Sequence, residues 1–153
     1  MRVCIGGTFN VLHRGHKLLI DKAIKTAGRQ GYLFIGITEG EMIKTKKDMK
    51  PFEERKKDIN TYILEKKAAT KIEIKPIKDK YGPSVKEKFD TIVVSPETAK
   101  TAEEINKKRK QIGKKQLEII QIPFVLADDN KPISSSRIAR GEINENGEIL
   151  KRD

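Results

Sequence analysis

Residues 6–16 read GGTFNVLHRGH, and this stretch decides how the rest of the chain is folded. An unbroken apolar run, Val3-Cys4-Ile5, stands before it, and after it Leu19, Ile20, Ala23, Ile24 and Ala27 recur at helical spacing. A strand, a tight glycine turn and a helix opening on two histidines form the corner where an α/β domain builds a phosphate site. Paired glycines let the backbone approach a ligand closely, and free N–H groups at a helix start attract anions. His13 and His16 then place two imidazoles against the same anion. Histidines three apart also have a metal-ligand spacing. They are the only histidines, however, and the single cysteine, Cys4, lies in an apolar run, so no zinc-type ligand set is completed. Surface histidines without a role would leave the glycines unexplained.

Working outward, residues 14–29 form a first helix stopped by Gly28 and Gly31. Residues 32–38 (YLFIGIT) are a strand that is apolar throughout rather than alternating, as a strand buried on both faces is. This strand-helix-strand unit reads as a right-handed crossover in a parallel sheet. Residues 39–50 are polar and lysine-rich, anchored by Met42 and Ile43. They leave the strand edge at which open α/β sheets place ligands. Pro51 opens a helix that carries Phe52, Arg55, Ile59, Ile63 and Leu64 on one face, and Arg55 in that position reads as a buried structural partner.

Residues 71–77 (KIEIKPI) alternate like a half-exposed strand, residues 79–84 form a turn-rich loop, and residues 91–94 a short buried strand. A loop at 95–98 leads to a helix that runs to about residue 112, with Gly113 as its stop. Residues 117–122, extended by 124–126, supply a fifth strand; a turn at 128–132 and a capped helix at 133–141 come next. The expected architecture is α/β, a Rossmann-like doubly wound five-stranded parallel sheet in a single domain spanning 1–153, with 142–153 as a loose polar tail.

Composition bounds the partners. Length suits one core, no apolar stretch is long enough to span a bilayer, and a strand almost at the N-terminus leaves no room for a signal peptide. One cysteine excludes an internal disulfide framework and fits a reducing, cytoplasmic setting. The net charge of +11, from 33 Lys+Arg against 22 Asp+Glu, fits either nucleic acid or a small polyanion. Aromatics are only 5% of residues and are not interleaved with the basic clusters as base-stacking platforms would be, which favours the small ligand and no nucleic acid.

A second motif lies far along the chain: Ile133-Ser134-Ser135-Ser136, with Arg137 directly after it. One serine suffices to cap a helix. Three in a row, with Arg137 in the first turn as a bidentate clamp, offer hydroxyls, amides and a guanidinium to a phosphate.

The two motifs together resemble the HxGH and ISSTxxR signatures of the nucleotidyltransferase superfamily, with Ser136 where threonine is usual. Tyr81-Gly82-Pro83, Val93-Val94-Ser95-Pro96-Glu97-Thr98 and Ile105-Asn106 with Arg109 narrow the resemblance to the archaeal/eukaryotic-type phosphopantetheine adenylyltransferases. The resemblance implies transfer of the adenylyl group of ATP to 4'-phosphopantetheine, giving 3'-dephospho-coenzyme A and pyrophosphate. Another nucleotidyltransferase of the fold, a glycerol-3-phosphate cytidylyltransferase or an archaeal-type FAD synthetase, is the alternative. A non-catalytic RNA-binding domain is the remote one.

It also implies roles. His16 would stabilise charge on the α-phosphate, and His13 with the backbone of Gly7, Thr8 and Phe9 would hold the triphosphate. Thr8 and Lys44 would meet the acceptor phosphate, Lys46 and Lys47 being close enough in sequence to compete for the place of Lys44. Ile133, Ser134, Ser135, Ser136 and Arg137 would hold the leaving phosphates, while Ser95, Glu97 and Arg109 would lie near the nucleotide. Mg²⁺ would bridge phosphate oxygens, with no metal ligand supplied by the protein. The family commonly has aspartate where Asn10 stands.

Overall fold

Val3, Ile5, Leu33, Ile35 and Ile37 have almost no exposed surface, and neither do Cys4, Ile92 and Val94, whose side chains lie on the opposite face. Strands apolar on both faces need a layer on each side. The computed structural model, which describes residues 1–40 and 49–150, provides it. In chain order the elements are β1 (Arg2–Gly7), α1 (Arg14–Ala27), β2 (Tyr32–Thr38), α2 (Phe52–Lys66), β3 (Lys71–Ile77), β4 (Thr91–Val94), α3 (Ala99–Gln111), β5 (Glu118–Gln121) and α4 (Ser135–Ala139). All strand pairs are parallel, in the order β3-β2-β1-β4-β5. One face is covered by Leu19, Ile20 and Ala23 of α1 with Ile59 of α2, and the other by Ala102 and Ile105 of α3.

The chain winds outward from β1 through β2 to β3, then returns to β4 on the other side of β1. The strand order therefore reverses between β1 and β4, and their C-terminal ends flank the crevice in which such sheets bind ligands. The five-stranded doubly wound sheet is as the apolar runs predict.

Three details differ from expectation. Pro51 is the N-cap of α2 rather than part of its first turn. The fifth strand stops at Gln121, because Pro123 has no N–H to continue the ladder; beyond it Leu126 forms only an isolated bridge with Pro132. Within the segment expected to be a loose tail, residues 142–150 are tied down. Ile143 is fully buried with Ala127 and Ile133, and pairs with Ile149 across a short hairpin. Gly147, at φ +83°, lies so close to this cluster that a Cβ would sit 2.8 Å from Ile133 and 2.9 Å from Ala127. The polar letters of the segment concealed one isoleucine that anchors it. Ile143→Ala should therefore lower unfolding free energy by about 2 kcal/mol, the low end of the range for a buried Ile→Ala change because the cluster is small. A urea midpoint unchanged from the parent would mean that the hairpin adds nothing to the fold.

Candidate active site

β1 delivers Gly7 and Thr8 to the C-terminal edge of the sheet, and there the backbone turns sharply. Phe9 adopts φ +50°, a left-handed conformation that costs a residue with a Cβ roughly 1–2 kcal/mol. Burial compensates: Phe9 is 1% exposed, and its ring lies 5.0 Å from that of His16. Thr38, the last residue of β2, donates its hydroxyl to that of Thr8 at 3.1 Å. The Asn10 side-chain oxygen accepts from Lys50 N at 2.8 Å, which gives this residue a loop-tying role that needs no carboxylate.

Arg55 is the largest fully buried side chain of the described residues and lies directly behind this loop. It donates to Thr8 O at 3.1 Å, Thr38 O at 2.8 Å and Lys50 O at 2.9 Å, and pairs with Glu39 at 3.2 Å. A guanidinium has five donors in a fixed fork, so one side chain can fasten the ends of β1 and β2 to the start of α2. Its position on the apolar face of the helix is the sequence signal, and the structure assigns it the structural place expected.

His13 is the N-cap of α1 and is 7% exposed. Its Nδ1 accepts from Gly15 N at 3.0 Å and from His16 N at 3.3 Å, while Arg14 N donates to Glu145 O and Lys17 N to His13 O, both at 3.1 Å. The first N–H groups of the helix are thus all engaged. This corrects the expectation that free amides at the helix start attract the anion: the imidazole ring, lying over them, takes their place. Gly15 permits it, since a Cβ there would meet His13 Cε1 at 2.9 Å. The two imidazoles stack, 3.7 Å between centroids and 15° from parallel. Burial pushes the pKa of His13 down to about 4. For His16 burial again dominates and the neighbouring His13 adds to it, lowering the value to about 3 against the opposing pull of the Val11 carbonyl. Both rings are neutral near pH 7.

At the end of β4, Ser95 N donates to Thr98 Oγ1 at 3.1 Å, a local turn that leads into α3, and Glu97 is exposed beside it. Both residues therefore stand on the ligand-binding edge. Arg109 does not. α3 starts at that edge, and Arg109 lies ten residues on, about 15 Å along the axis towards the opposite edge. It is 4% exposed and donates to the carbonyls of Ser84, Val85, Glu87 and Lys115. The expectation that it lies near the nucleotide is corrected: its fork is spent on backbone at the far end of the sheet.

The serine motif begins α4. Ser134 is its N-cap, with Oγ accepting from Arg137 N at 3.2 Å, and Ile133 before it is buried. Arg137 is not an open clamp in this structure. Its guanidinium pairs with both carboxylate oxygens of Asp129 and, through Nε, with Glu142 at 2.9 Å. Two carboxylates lie within reach on the flanking turns, and their charge holds the fork. The two helix starts are brought together by the C-terminal hairpin: Arg14 N donates to Glu145 O and its guanidinium to Asn146 O, while Gly147 packs under Ile133. Segments more than a hundred residues apart thus share one turn as a common wall. Lys44, like Lys46 and Lys47, lies outside the described residues.

Residues 4–141 match the cytidylyltransferase-like family. A phosphopantetheine adenylyltransferase of Methanosarcina acetivorans is 44% identical over 151 residues, covering 98% of this chain and 96% of its own. One of Archaeoglobus fulgidus is 42% identical over 151 residues, covering 98% and 100%. Among solved structures, a protein of unknown function from Archaeoglobus fulgidus superposes with a TM-score of 0.71 at 39% identity, over 80% of this chain and 89% of its own. Sequence and fold agree along nearly the whole length: the chain belongs to the cytidylyltransferase-like family and, within it, to the phosphopantetheine adenylyltransferases.

Proposed function

We propose that the chain transfers the adenylyl group of ATP to 4'-phosphopantetheine, giving 3'-dephospho-coenzyme A and pyrophosphate. Two observations support this reading: one hairpin joins the start of α1, through Arg14, to the segment entering α4, through Ile133, and the chain is 44% identical to an enzyme of that name. The nucleophile is a phosphate monoester whose second pKa is about 6, so it arrives ionised and needs no general base. The protein has only to align two anions and offset charge on the α-phosphate and the leaving pyrophosphate.

The roles are divided as the family resemblance implies. His16 acts on the α-phosphate. His13 and the loop amides of Gly7, Thr8 and Phe9 hold the triphosphate, and Thr8, locked from behind by Arg55 and Thr38, meets the acceptor. Lys44 is assigned by resemblance to bridge the two phosphates. Ser134, Ser135 and Ser136 receive the leaving phosphates, and Ser95 and Glu97 flank the nucleotide. Arg137 joins them only by exchanging the carboxylate of Asp129 for a phosphate. Mg²⁺ would be carried on the phosphate oxygens of the nucleotide, where it would supply charge neutralisation for the transfer.

The buried free thiol of Cys4 suits a reducing cytoplasm, and no described helix is long and apolar enough to cross a membrane. A coupled pyrophosphate-release assay should show turnover with ATP and 4'-phosphopantetheine together, and none with CTP and glycerol 3-phosphate or with flavin mononucleotide as acceptor. The converse pattern would transfer the chain to a different substrate class. Tight, salt-dependent binding of arbitrary RNA without turnover would point to the non-catalytic reading.

A further inference from the structure

The two histidines carry different protons, and the hydrogen bonds say which. His13 Nδ1 accepts from two backbone N–H groups, at 3.0 and 3.3 Å, so it bears a lone pair and the neutral ring holds its proton on Nε2. The ring is a ready-made donor, polarised through Nδ1 by the helix start. His16 is the reverse case. Its Nδ1 lies 3.0 Å from Val11 O, which can only accept, and 3.4 Å from His13 N, which can only donate. Both contacts cannot be satisfied by one nitrogen. The first distance is normal for N–H···O and the second is outside the usual range, so the proton sits on Nδ1. Neutral His16 is then left with a lone pair on Nε2, the wrong polarity to meet a phosphate oxygen.

Resting on the nucleotide reading above, we infer that His16 takes up a proton from solvent when the triphosphate binds, while His13 serves as a neutral donor throughout. The imidazole becomes imidazolium, gains an Nε2–H towards the phosphate and keeps its Nδ1–H on Val11 O, so nothing in the loop has to move. Stacking at 3.7 Å makes two cations side by side unfavourable, which limits the uptake to one proton for the pair. Among the described residues, the groups shown facing His16 are His13 from the same helix turn, and Phe9 and the Val11 carbonyl from the loop, and no carboxylate is among them. The incoming phosphate charge is what raises its affinity for a proton.

Calorimetric titration of the whole protein with Mg-ATP near neutral pH, without acceptor, in buffers of different ionisation enthalpy reads the uptake directly. The terminal phosphate is already ionised there, so the proton counted goes to the protein. Between about half a proton and one should be absorbed per nucleotide bound. His13→Gln should weaken binding but keep the uptake, and His16→Gln should bind with none. In the free protein, nitrogen-15 shifts of the two rings should report Nε2–H for His13 and Nδ1–H for His16. Nucleotide binding with zero uptake in the parent, or the opposite tautomer at His16, would overturn the inference and leave the nucleotide reading intact. No binding of Mg-ATP at all would remove the nucleotide site itself, and the inference with it.

Discussion

His16→Ala is expected to lower turnover by about two to three orders of magnitude, the scale for removing one donor at a developing charge, here an imidazolium formed once the nucleotide is bound. The effect falls on the chemical step because the ring is held in place before substrate arrives: by Val11 O at 3.0 Å, by the face of His13 and by Phe9. Fold and triphosphate cradle should survive. The helix cap belongs to His13 and the loop is fastened from behind by Arg55, and neither depends on His16 being an imidazole. Pyrophosphate release would then show kcat falling with little change in the KM for ATP, while circular dichroism matches the parent. A variant that stayed folded and turned over near the parent rate would take His16 out of the reaction.

The second large effect is one of stability. Arg109→Met should cost about 3 kcal/mol or more, because four backbone carbonyls lose a charged donor and Ser84, one of them, is itself buried. For a chain of this size that is a fall in melting temperature of roughly 10 °C. The KM for ATP of the folded variant should stay unchanged, since the guanidinium serves the edge of the sheet remote from the loops. A raised KM for ATP with an unchanged melting temperature would restore the nucleotide role that the sequence motif suggested. Motif matching could not separate these outcomes. Ile105, Asn106 and Arg109 act as a group because they hold the end of α3 to the segment entering β5: Asn106 exchanges two hydrogen bonds with Leu117, and Arg109 donates to Lys115.

The site shows the same division. Gly15 is legible as a glycine a motif requires, yet the reason, a histidine ring lying where a Cβ would be, exists only once the helix start is folded. Arg137, placed directly after three serines, reads as a chemically apt phosphate clamp. In the fold, Asp129 and Glu142 have closed on it from the turns on either side of α4, a pairing that proximity in sequence alone does not reveal.

What the sequence determined by itself is everything that rests on local period and local geometry. Continuous apolar runs called for strands covered on both faces, the spacing of Leu19 to Ala27 called for a helix on one of them, and the glycines before two histidines called for a tight strand-to-helix turn at their junction. What only the tertiary structure decided is which polar groups are already engaged. That is settled by contacts between segments far apart in the chain: Glu145 and Arg14, Arg55 and Thr8, Arg109 and Ser84. A donor can bind a ligand only if no neighbour has claimed it first, and a linear chain does not record its neighbours.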